Sequence, residues 1–135
     1  MLSLFSSTVL LVNAYAELTP LEDAIWFVES SRCTENCPAG DNQKSRGPLQ
    51  IQEIAFDSVK KDGESYDMVE DLHFSVQIFR RTMKRFVTEK RLGRVPTDRD
   101  RSMCWNGGGS WFKGSKKKQQ RLQKYWLKVK KELEK

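Results

Sequence analysis

Two carboxylates twelve residues apart, Glu29 and Asp41, stand in opposite chemical settings. Glu29 closes the apolar run Ala24-Ile25-Trp26-Phe27-Val28, whereas Asp41 follows Gly40 in a polar stretch that continues Asn42-Gln43-Lys44-Ser45. The first reads as a helix end. Carbonyls exposed in a last helical turn carry partial negative charge, and burial beside Trp26 or Phe27 adds a desolvation cost, so both disfavour ionised Glu29. The second reads as a partly wet loop in which a carboxylate keeps its charge. A neutral carboxylic acid facing an ionised one is what cleavage of a glycosidic bond needs. The acid protonates the leaving oxygen, and the anion supports an oxocarbenium-like transition state from the other side.

Caps and breakers define the elements that must position this pair. Thr19-Pro20-Leu21-Glu22 is a helix start: Thr19 caps, Pro20 suits the first turn and Glu22 completes a capping box. Leu21, Ala24, Ile25 and Val28 follow at helical spacing, and the helix is expected to end between Glu29 and Arg32. Residues 32–48 are punctuated by Pro38, Gly40, Asp41, Asn42, Gly47 and Pro48, which leaves room for a small irregular hairpin and little other strand. A short helix is expected over Ile51–Val59, with Ile51, Ile54, Ala55 and Val59 on one side. The longest periodic segment, Val69 to Lys90, carries Leu72, Val76, Phe79, Met83, Phe86 and Val87 and predicts a single central core helix. His73 lies one step off that stripe and reads as a surface residue.

Gly93 breaks the chain, and Thr97 opens a further helix that should end at Met103-Cys104-Trp105. Asn106-Gly107-Gly108-Gly109 is too glycine-rich for the interior of a helix or strand, at about 1 kcal/mol per glycine. It suits close approach of backbone to a ligand, with Trp105 beside it to stack on a sugar ring. A last helix, Lys116 to about Leu133, buries Leu122, Tyr125, Trp126, Val129 and Leu133. The expected fold class is α+β, mainly helical, in one domain over residues 17–135. No internal repeat is visible.

Residues 1–16 contain no charged side chain and end Ala14-Tyr15-Ala16, the pattern of a signal peptide cleaved before Glu17. The rest carries 24 basic and 18 acidic residues, net +6. From Lys113 onward ten basic residues face two acidic ones. Such a field draws a protein to polyanions, whether nucleic acid, anionic lipid or the acidic polymers of a bacterial wall, and the C-terminal helix would meet an anionic bacterial surface of that kind. Nothing resembles a finger, an RNA-binding aromatic motif or a helix-turn-helix, so nucleic acid is not an expected partner. Three cysteines, Cys33, Cys37 and Cys104, allow three single pairings in an exported chain, and spacing does not choose among them. With His73 the only histidine, neither a metal nor a cofactor is expected.

The motifs V-E-S at 28–30, G-D-x-x-x-S-x-G-P-L-Q-I at 40–51 and W-N-G-G-G at 105–109 resemble the invertebrate-type (destabilase-like) lysozymes and their lysozyme-like relatives. The likeness spans roughly residues 24–112. It implies a lysozyme-like fold, secretion, and hydrolysis of the β-1,4 bond between N-acetylmuramic acid and N-acetylglucosamine in peptidoglycan. The protein is expected to be a monomer, outside the cell or in a lysosome-like lumen. By position it implies Glu29 as general acid and Asp41 as nucleophile or stabiliser. Ser45, Gly47, Gln50, Asn106, Gly107 and Gly108 fall where the family lines its cleft, and Trp105 joins them as the stacking residue read from the sequence itself. The chain departs from the family in having few cysteines and in carrying Trp105 where histidine is usual. Some relatives cleave isopeptide bonds with a serine and a basic partner; Ser45 is present, its partner not identifiable. Two rival readings remain: a lytic transglycosylase that uses Glu29 alone, and a non-catalytic cationic protein that binds bacterial envelopes.

Overall fold

The computed structural model describes residues 17–135, so the leader expected over residues 1–16 lies outside the described part. Helix α1, Pro20–Ser30, starts on the expected capping box: Thr19 Oγ1 accepts from the Glu22 amide at 3.1 Å, and the Glu22 carboxylate accepts from the Thr19 amide at 2.9 Å. It stops where Ser31 turns left-handed, with φ 54°. Beyond it a loop is held by three ties. A disulfide joins Cys33 to Cys37 with Cα atoms 5.7 Å apart, the Trp26 indole donates to the Cys33 carbonyl at 2.8 Å, and Ser30 Oγ donates to the Pro48 carbonyl at 2.7 Å. Cys104 is a free, buried thiol.

The loop returns as a two-stranded antiparallel hairpin. Strand β1, Ser45–Arg46, pairs with β2, Ile51–Gln52, in the register Ser45 to Gln52 and Arg46 to Ile51. Gly47 opens the turn at φ +81°, and a Cβ there would meet the Val69 carbonyl oxygen at 2.1 Å, so only glycine lets the hairpin seat against residue 69. Helix α2, Glu53–Val59, follows at once. The helix expected from Ile51 therefore loses its first two residues to the sheet. Its buried side is also different: Ile54 is 77 % exposed, and Phe56 enters the core instead.

The long periodic segment is divided by two side-chain caps. A 3₁₀ turn, Tyr66–Glu70, ends at Asp71, whose carboxylate takes the Phe74 amide and starts helix α3, Leu72–Phe86. Thr88 then caps a separate turn, α4, Glu89–Leu92, by accepting from the Arg91 amide. Asp and Thr hydrogen-bond backbone amides in a non-helical conformation, which is why a periodic apolar stripe does not guarantee an unbroken helix. The predicted stripe does form the middle of the core: Leu72, Val76, Phe79, Met83 and Val87 are buried, with Phe86 partly so. His73 is exposed on the opposite side.

Helix α5, Asp98–Gly107, begins on a Thr97–Asp100 capping box and runs two residues past Trp105. Helix α6, Lys116–Leu133, packs on both α1 and α5 through Leu122, Tyr125 and Val129. Full burial of such a side chain contributes about 1.5–3 kcal/mol, so this helix is part of the core rather than an appendage. The protein is thus α+β and mainly helical, with one small antiparallel sheet after the first helix.

Candidate active site

A cleft of about 440 Å³ opens between the hairpin, α2 and α3 on one side and α5 on the other, with the end of α1 at its floor. Glu29, Asp41, Ser45, Gln50, Trp105, Asn106, Gly107 and Gly108 all line it. Gly47 alone of the expected cleft residues does not; it serves the turn behind the wall.

Glu29 reaches the cleft from the last full turn of α1. Its carboxyl is pushed up to about 7. Desolvation by burial is the main cause; the charge of Asp41 adds to it, while the hydrogen bond from Tyr125, the nearby Trp105 indole and the charge of Lys128 oppose it. The Tyr125 hydroxyl, from α6, donates to Glu29 Oε2 at 3.1 Å. Burial, the charge of Glu29 and this bond hold the Tyr125 phenol well above its usual range, so it remains a donor. The polar partners of Glu29 come from elsewhere than the aromatics beside it in the chain. Trp26 is turned to the Cys33 carbonyl, and the Phe27 ring lies under Arg32 and Lys135. The environment of the acid comes from α5 and α6, far along the chain.

Asp41 sits in the hairpin loop with φ 51°, followed by Asn42 and Gln43 at φ 55° and 70°. Three consecutive non-glycine residues in the left-handed region cost on the order of 1 kcal/mol each and persist only where the surroundings over-determine them. The bridge between Gly40 and Ser45 closes this turn. The Ser45 hydroxyl, almost fully buried, donates to Asp41 Oδ2 at 2.7 Å, and the Gln52 amide donates to the same oxygen at 3.5 Å. Ser45 is thereby a positioning group for the second carboxylate. Gln50, also at positive φ, gives its amide to the Pro38 and Gly47 carbonyls at 3.0 and 2.9 Å. Its first task is to tie the loop to the hairpin.

The opposite wall divides its labour. Trp105 packs edge-on against Phe79, with ring centroids 5.1 Å apart, and its indole lies near Glu29. Asn106 Oδ1 accepts from Arg121 at 3.2 Å. A Cβ on Gly107 would meet the Leu122 side chain at 2.7 Å, and one on Gly109 would meet the Phe86 ring at 2.7 Å. These two glycines let α5 pack closely on its neighbours. Gly108, at φ +84° with open space around it, is the one whose backbone is bare toward the cleft.

Residues not foreseen complete the site. Tyr125 was legible only as a core position, because its partner is 96 residues away. Ile54, Ala55, Thr82 and Phe86 add an apolar side to the cleft, and the exposure of Ile54 follows from facing it. Cys104 also lines the cleft, but burial pushes its thiol up to about 12, which leaves no thiolate for nucleophilic work. Among the described residues no three His, Cys, Asp or Glu side chains converge as a metal-binding group. No protein-family model matches the chain, and no curated protein matches it.

Proposed function

We propose that the chain is a lysozyme-type glycoside hydrolase that cleaves the β-1,4 bond between N-acetylmuramic acid and N-acetylglucosamine in bacterial peptidoglycan. Glu29 is the general acid. Its proton, still largely bound as pH approaches 7, passes to the glycosidic oxygen as the bond to the departing sugar breaks. Asp41, oriented by Ser45 and Gln52, places its negative charge against the oxocarbenium-like centre. Water completes the hydrolysis by adding its hydroxyl to the anomeric carbon and giving up a proton that restores the acid–base pair. The catalyst needs no metal or cofactor and works as a monomer.

One observation carries this reading: a carboxylic acid with its pKa raised to about 7 shares an open cleft with an oriented aspartate. Two groups of one chemical kind with opposed environments are the expected signature of an acid and its anionic partner. Supporting features are the apolar side formed by Ile54, Ala55 and Phe86, which suits sugar faces, and the Cys33–Cys37 disulfide, which suits secretion or a lysosome-like lumen.

Product analysis on purified peptidoglycan tests the proposal. Native protein should release new reducing ends, and Glu29→Gln should release none above background. Asp41→Asn should lose at least ~10²-fold in kcat/KM. Near-normal turnover of Asp41→Asn with anhydro-sugar products would replace hydrolysis by transglycosylation. Bacterial killing that persists in Glu29→Gln would assign it to the cationic surface instead.

A further inference from the structure

Helix α6 carries more than the Tyr125 that holds Glu29. At 100° per residue, Lys117, Arg121, Lys124, Lys128 and Lys131 fall within roughly 80° of its circumference, a stripe about 21 Å long. All five are exposed. Within the described residues none of them has a carboxylate partner, whereas the arginines that brace the fold are spent: Arg80 on Glu22, Arg81 on Glu64 and Arg94 on Asp100. The stripe also has a defined place. Arg121 donates to Asn106 on the cleft wall, and Lys128 follows by three residues the tyrosine that holds Glu29. Arg121 and Lys128 are two turns apart, about 10 Å, so the row passes from the residue that touches the cleft wall to one whose charge reaches Glu29.

Unpaired cations cost stability through mutual repulsion, and a polyanion lying alongside would neutralise them. We propose that this stripe recognises the free carboxylates of the stem peptides borne by the glycan strand in the cleft, and so sets which strand is accepted and how it lies. This rests on the glycosidase reading for the identity of the strand. It predicts discrimination by charge: a neutral β-1,4-linked N-acetylglucosamine chain has the same backbone but nothing for the stripe to hold.

The test uses the full chain with Lys117→Gln, Lys124→Gln and Lys131→Gln together, three exposed positions outside the cleft lining. Binding to purified peptidoglycan free of wall phosphate polymers is measured in a Glu29→Gln background, where no hydrolysis intervenes. The triple variant should bind at least ~10-fold more weakly at low salt, with a shallower dependence on ionic strength. Amidating the peptidoglycan carboxyls should bring the parent down to the same level. With Glu29 intact, the triple variant should lose a similar factor in kcat/KM on peptidoglycan through KM and none on neutral N-acetylglucosamine oligomers. Equal binding by parent and triple variant overturns the proposal, as does binding indifferent to amidation. Tight binding only to walls that keep their phosphate polymers, or to anionic lipid vesicles, also overturns it, reassigning the stripe to those surfaces. If hydrolysis is absent from the native protein while the binding pattern holds, the enzyme reading fails and the stripe's recognition of carboxylates stands.

Discussion

Glu22 and Glu29 lie on the same helix two turns apart, and their carboxyl groups are pushed in opposite directions. Burial raises both. At Glu22 it is more than offset by Arg80, whose guanidinium makes two hydrogen bonds of 2.7 and 2.8 Å, and by the Thr19 cap, so the pKa is lowered. At Glu29 the hydrogen bond comes from an uncharged donor, the Tyr125 hydroxyl, and the net result is about 7. Asp100 with Arg94 and Glu64 with Arg81 repeat the first pattern, each lowered to about 2. Desolvation therefore does not by itself distinguish an acid catalyst from a structural ion pair. The distinction is whether the fold delivers a cation, and it delivers one to one end of α1 and withholds it from the other.

This contrast can be broken at either end. The largest effect is expected at the catalytic end: Glu29→Gln should lower release of reducing ends by roughly 10³-fold or more, with the fold intact by circular dichroism. At the structural end, Arg80→Met leaves Glu22 buried and unpaired. It should cost about 2–3 kcal/mol in denaturant unfolding, less than a fully buried pair because Arg80 is 43 % exposed.

Linkage to pH sharpens the comparison. Glu29 is raised from 4.5 to about 7, so the folded protein binds the extra proton between those values. That contribution is full below pH 4.5 and is lost as pH rises through 7, where a buried charge is left in its place. Glu29→Gln should accordingly stabilise the protein at pH 8 by on the order of 2 kcal/mol and leave it nearly unchanged at pH 4, as read from urea midpoints. Asp100 and Glu64 behave in the reverse sense. Their stabilisation is present above the ordinary carboxylate range and is lost as pH falls toward 2, which places acid unfolding in that window. The smallest effect is expected from Tyr125→Phe. Removing a donor that favours the ionised form should move the alkaline limb of the kcat/KM profile upward, with a several-fold change in rate at most.

Local signals in the chain announced much of this arrangement. The Thr19–Glu22 capping box, the Gly47-Pro48 turn and the apolar stripe of α3 each depend on neighbours a few residues away, and each appears where the pattern places it. Asp71 and Thr88 escaped notice because a capping side chain competes with the helix only where the backbone has already left it. The proton on Glu29 was inferred from its own helix, from the terminal carbonyls and the adjacent aromatics. The groups that meet the carboxyl, Tyr125 and the nearby Trp105, lie 96 and 76 residues further on, and they oppose the shift that burial imposes. No periodicity reports such a meeting. Asp41 is a similar case: its polar loop could be read, but the left-handed run through Gln43 that turns its carboxylate onto Ser45 could not.

Titration of Glu29 itself tests the central claim most directly. With the side-chain carboxyl labelled with ¹³C and followed by NMR in the native protein, the account predicts a midpoint of about 7. In Tyr125→Phe the midpoint should move higher still. A midpoint near 4.5, the ordinary glutamate value, would leave the cleft without a proton donor at neutral pH and contradict the assignment of Glu29 as the acid.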